Sequence, residues 1–180
     1  MKRRTPPHSD GGSAWSVPVA VADVPETGFR VALAADERTR DSVAKLADLR
    51  ALPRFEATFE LARHGRDGLH LVGTISATVV QTCVFTLDPI ENEVEENIDL
   101  VFAPAPTSIA ESSGSVEEVP IDGPEPLTGG AIDLGAIATE FLILALDPYP
   151  RKPGAVFEPP DVPDDSDHPF AALAVLKKPR

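Results

Sequence analysis

The sequence predicts an α+β fold: an antiparallel meander sheet bent into a half-open barrel, with one buried late helix and one shorter early helix. Three observations carry this prediction. Apolar residues alternate with period two through Phe55–Leu61, Leu69–Val79 and Glu91–Val101. The turn pairs Asp67-Gly68 and Asp88-Pro89 separate those runs. Leu134, Ile137, Ala138, Phe141, Leu142 and Ala145 then fall on one face at helical spacing.

Taken in order, residues 1–14 read as a disordered tail, polar and bearing Pro and Gly. Ser16–Val21 reads as a short strand, and Pro18 suits its start or a sheet edge. Phe29, Val31 and Leu33 alternate with smaller or charged neighbours as a second strand. Asp36 is placed to cap a helix whose apolar side is Val43, Leu46, Ala47 and Leu49, and Pro53 sets its end by Leu52. A long hairpin follows, with Phe55, Ala57, Phe59 and Leu61 on one face of its first strand. Leu69, Leu71, Gly73, Ile75, Ala77 and Val79 share a face of the return strand, where Gly73 suggests a bend or bulge. Residues 104–130, rich in Pro, Ser, Gly and acid, read as a disordered acidic loop inside a single domain spanning 15–150. Asp133 caps the late helix, which is apolar nearly all round and therefore expected to be buried. The tail, 151–180, is rich in Pro and acid and ends in a short helix over Pro169–Lys178.

Charge is segregated. Of 180 residues, 16 are Lys or Arg and 29 are Asp or Glu, a net charge of −13. Residues 67–150 contain 15 acids and no Lys or Arg, whereas residues 1–66 contain 11 bases against 9 acids. Such a balance excludes a protein that grips a phosphate backbone over its whole surface. Three readings of the acidic stretch stand: a solvated face, a docking surface for a basic partner, or mimicry of nucleic acid. Within it, Glu91, Glu93, Glu95 and Glu96 are candidates for partner docking. Arg50, Arg54, Arg63 and Arg66 bracket the long hairpin and are candidates for a local RNA contact, or else a scattered solvated set.

Chemistry is sparse. His8, His64, His70 and His168 are scattered and Cys83 is the single cysteine, so no metal and no cofactor are expected. Cys83 reads as a small packed hydrophobe. Paired catalytic carboxylates need burial to separate their pKa values, and the glutamates lie on a face that reads as wet. No phosphate-binding glycine motif occurs. The expectation is therefore no enzyme and no small-molecule substrate. No run of about 18 apolar residues occurs, and no apolar segment follows the basic Met1–Arg4 start. The expectation is a cytoplasmic protein with no membrane contact.

The order of segments carries a resemblance. Val79-Val80-Gln81-Thr82-Cys83-Val84-Phe85-Thr86-Leu87-Asp88-Pro89 is followed by an acidic strand, an acidic loop and Glu125-Pro126-Leu127. Ile132-Asp133-Leu134-Gly135 then opens an apolar helix, which leads through Leu144–Gly154 to Pro169-Phe170-Ala171-Ala172-Leu173. Together these resemble the YceD family, the large ribosomal RNA subunit accumulation proteins. The resemblance covers most of residues 15–178. It implies a ribosome-biogenesis role in the synthesis, processing or stability of large-subunit ribosomal RNA, with no catalytic residue. The partner so implied is a ribosomal RNA precursor, or a ribosomal protein held by an acidic binding module or chaperone. Many members carry Cys-x-x-Cys where this chain has Val80-Gln81-Thr82-Cys83, and some carry further cysteines where it has Asp147–Pro150. The resemblance thus implies that any metal of those relatives is missing here.

Overall fold

The computed structural model describes residues 13–104, 123–127 and 129–155. The expected tail up to residue 12, most of the acidic loop and the C-terminal helix lie outside the described residues. In chain order the elements are β1 (Pro18–Ala20), a single 3-10 turn, β2 (Phe29–Ala34), α1 (Glu37–Leu46), β3 (Ala51–His64) and β4 (Gly68–Thr82). They continue with β5 (Pro89–Pro104), β6 (Glu125–Leu127), β7 (Ala131–Asp133) and α2 (Leu134–Ala145). The class is α+β, as the alternation predicts.

The main sheet has the order β2-β3-β4-β5-β6, antiparallel except for the parallel β5–β6 pair. It does not close: β2 and β6 are opposite edges, and the expected half-open barrel is an open sheet. β1 and β7 form a separate two-stranded ribbon. The loop expected over 104–130 has an ordered end, because Glu125–Leu127 pairs with Phe102–Pro104.

One face of the sheet is the core. Phe55, Phe59, Leu69, Leu71, Ile75 and Ile98 lie on it, each at most 1% exposed. α1 packs over β3, and α2 lies over β4 and β5. Trp15 closes one end, its ring edge-on to Phe55 at 4.9 Å between centroids. Gly73 makes no bulge: it pairs in register with Phe59 and Ile98. A Cβ there would fall 2.6 Å from the Thr58 carbonyl oxygen and into the Phe59 ring, so the glycine makes room for a cross-strand aromatic. The irregularity in the sheet lies instead between Ala51 and Arg54, around Pro53, which cannot donate to the ladder.

α1 begins as expected, with the Asp36 carboxylate accepting the Thr39 N–H at 2.8 Å. It ends at Leu46, six residues before the expected Leu52. Asp48 adopts a left-handed φ of 52°, and the Leu49 N–H turns back to the Ala44 carbonyl at 2.9 Å. Asp rather than Pro is therefore the stop. α2 runs straight out of β7. Its cap, Asp133, accepts from the N–H groups of Gly135 and Ala136 at 3.0 and 3.1 Å. The same carboxylate also accepts the Val17 N–H at 2.7 Å and the Ser16 hydroxyl at 2.6 Å. A Cβ on Gly135 would fall 2.7 Å from the Trp15 carbonyl oxygen, so the segment before β1 crosses the helix only because residue 135 is glycine. α2 is not buried all round. Leu134, Ala138 and Leu142 are fully buried, but Leu144 is 73% exposed, because the sheet covers only one side of the helix.

Candidate docking face of the sheet

The period-two pattern that buries one face forces the intervening residues onto the other, and neither described helix covers that other face. Strand register fixes its rows. Glu60, Val72 and Asp99 share one row; Thr58, Thr74 and Asn97 the next; then Glu56, Ser76 and Glu95; then Arg54, Thr78 and Glu93. Glu91 follows beside Val80. The rim is therefore carboxylate and the centre is short hydroxyl and amide side chains. Glu56, Glu60, Glu91, Glu93, Glu95 and Asp99 are all exposed.

Three basic groups answer them. Arg54 donates to Glu93 at 2.6 Å, to Glu56 at 3.2 Å and to the Ser76 hydroxyl at 2.7 Å. Arg30 lies 3.7 Å from Glu60, and a His70 ring nitrogen 2.7 Å from Asp99. The Thr78 hydroxyl, and after it Arg54, hold the Glu93 carboxyl below its ordinary range. Exposed pairs of this kind contribute about 0–1 kcal/mol each, so they arrange the face more than they stabilise the fold. Glu91 and Glu95 have no basic partner among the described residues.

The expected glutamate quartet is split. Glu91, Glu93 and Glu95 lie on this open face, opposite Val80, Thr78 and Ser76. Glu96 pairs with Ile75 and so belongs to the apolar side, at the β5 margin where it stays exposed. Two consecutive strand residues cannot share a face.

The four arginines are not brought together. Arg50 precedes β3 and Arg66 lies in the turn beyond its far end, and a 14-residue strand between them spans roughly 40 Å. Arg54 and Arg63 fall on opposite faces by parity. Arg63 is spent on the fold, its Nε donating to the Val24 carbonyl at 2.8 Å.

Cys83 sits just after β4, at 0% exposure. Its sulfur accepts the N–H groups of Thr86 and Lys152, both at 3.4 Å. Hydrogen bonding from Thr86 and then from the Lys152 N–H pulls the thiol down to about 6, against the opposing effect of burial. Residues 86 and 152, rather than Val80, therefore share the turn of this sulfur. Val80 is a ladder residue opposite Glu91. Sequence reasoning missed this junction, although Lys152 also ties it by an ion pair to Asp88 at 3.0 Å. Among the described residues no three His, Cys, Asp or Glu side chains converge as a metal site would need, and no helix is long and apolar enough to cross a membrane.

No curated protein and no solved structure matches this chain. A family profile described as "Large ribosomal RNA subunit accumulation protein YceD" does, over residues 71–177. That span takes in most of β4, the acidic strand β5, the Cys83 junction and α2, more than half of the 180 residues. On that match the chain belongs to the YceD family.

Proposed function

We propose that this protein is a non-enzymatic ribosome-biogenesis factor that supports large-subunit ribosomal RNA by holding a basic protein partner, such as a ribosomal protein, on the open face of its sheet. Family membership supports the ribosome-biogenesis role. The observation that carries the partner is the uncovered sheet face with six carboxylates on it. Glu91, Glu93 and Glu95 follow one another at about 7 Å, within a Debye length of about 8 Å at physiological salt. Arg54 answers Glu93, so Glu91 and Glu95 on either side of that pair carry the attraction for a cationic surface. Direct RNA contact through Arg50, Arg54, Arg63 and Arg66 needs those side chains to converge, and they occupy two ends and two faces of the hairpin.

The test uses the split quartet. Glu91→Gln, Glu95→Gln and Asp99→Asn together remove charge from the open face, while Glu96→Gln removes the same kind of charge from the other side. Cells lacking the protein are complemented with each variant, and large-subunit ribosomal RNA and variant abundance are measured. The triple variant is expected to lose accumulation and Glu96→Gln to keep it. Equal behaviour of the two, or loss only in a variant with all four arginines changed to Ala, refutes the proposal.

A further inference from the structure

We infer that the C-terminal segment Pro169–Lys178 of this chain docks in the apolar cleft between α1 and α2. The inference is independent of the acidic face. The cleft has a volume of about 500 Å³ and is lined by Ala14, Leu46, Ala136, Thr139, Ile143 and Leu144 among others. Leu46 is 61% and Leu144 73% exposed. Ile143 also lines an adjoining depression, where Val84, Leu146 and Pro148 meet Asp48, Arg50, Gln81 and Asp147, so the apolar cleft borders a mixed polar surface on the side of the Cys83 junction. Contiguous apolar surface of this kind marks a contact site.

Four observations choose the occupant. The described chain ends at Ala155, just beyond Pro148 and Pro150, which line that depression. The Val84 N–H bonds the Pro150 carbonyl at 2.9 Å, so the departure point is pinned beside the cleft. Thirteen residues, 156–168, then precede Pro169. A Pro- and acid-rich tether of that length reaches up to about 40 Å when extended, and the 12-residue α2 that forms one cleft wall is only about 18 Å long. The tether is therefore long enough to lay the segment along the cleft, where tethering gives an effective concentration on the order of millimolar.

The third observation is chemical. Pro-Phe-Ala-Ala-Leu-Ala-Val-Leu-Lys-Lys is apolar until its two lysines, and among the described residues Glu140 is the one ionisable side chain that lines the cleft. The fourth is the family match, which runs past Ala155 to residue 177 and so includes both α2 and this segment. A second copy is the poorer occupant, since each chain carries −13.

Hydrogen exchange on the full-length protein tests this. Amides of 170–176 should exchange about tenfold or more slowly than an unstructured peptide of that sequence, as a weak contact at millimolar effective concentration implies. Leu144→Glu and, from the other wall, Leu46→Glu should each return them to the unstructured rate. Both side chains are mostly exposed, so the fold survives their change. Phe170→Asp with Leu173→Asp should in turn speed exchange at 140–146. Unprotected tail amides in the wild type overturn the inference. So does protection that neither cleft variant changes, or protection that grows with protein concentration, which would mark a second copy.

Discussion

Cys83 couples two stretches that are far apart in sequence. Its sulfur takes N–H groups from Thr86 and Lys152, and these donors favour the thiolate. The folded value of about 6 lies below the ordinary 9.0. A depressed acid contributes stability that is present above its unfolded pKa and is lost as pH falls through its folded pKa. Denaturant midpoints should therefore drop between pH 9 and pH 6 in the wild type, and that part of the slope should vanish in Cys83→Ala. An identical slope in the two proteins would show that the thiol does not ionise in this window. At the same scale, Gly73→Ala pushes a methyl group against Phe59 and the Thr58 carbonyl. It should cost about 1–3 kcal/mol, as overpacking does, read as a lower urea midpoint at unchanged m-value.

Among the elements, α2 depends on a carboxylate that does two jobs. Asp133 caps the helix and holds Ser16 and Val17 of the N-terminal segment. Burial raises its pKa, but these hydrogen bonds outweigh that and hold it below the usual carboxylate range. Asp133→Ala should cost about 2 kcal/mol, the upper end for a lost cap. Its Trp15 fluorescence should also report a loosened N-terminal segment. A variant that weakens the helix but leaves Trp15 unmoved would separate the two jobs.

The late helix and its cap were legible in the sequence because local propensity, periodicity and tertiary packing agree there. The period-two strands were legible for the same reason. α1's end was not: Pro53 is the louder signal, but it acts inside a bulged strand, while Asp48 stops the helix through its left-handed backbone. The open face was legible as a wet face, since alternation defines it. Membership of Glu96 was misread because four nearby acids look like one group until register assigns parity. Of the two readings of the arginine set, the geometry agrees with the scattered one: residues near in sequence are held apart by a 14-residue strand.

For the whole molecule, charge segregation becomes a surface property. The 84 residues from 67 to 150 include β4 and β5, whose outward side chains lie on the face that neither described helix covers. Association with a cationic partner should weaken steeply with salt and slow mainly in its on-rate, the signature of electrostatic steering. Stopped-flow association with a purified basic ribosomal protein between 50 and 300 mM salt, about a 2.5-fold change in Debye length, checks this. A flat salt dependence would count against a charged docking face.

The β1–β7 ribbon has a consequence for the order of synthesis. Pro18 pairs with Asp133, so the first strand made waits for the last strand described. At translation speeds of about 5–20 residues per second, that interval is roughly 6–23 s. The β2–β4 hairpins can assemble meanwhile from near neighbours and present Phe55 to the Trp15 ring, but the backbone on either side of Trp15 lacks its β7 and α2 partners until residues 131–136 emerge. Ribosome-arrested chains ending after residue 104 should be cut by protease near Trp15, and chains carrying α2 outside the ribosome should resist. The two ends of the domain are thus latched by a single late event, and a newborn chain stays open at the cleft wall formed by Ala14 until translation has passed residue 133.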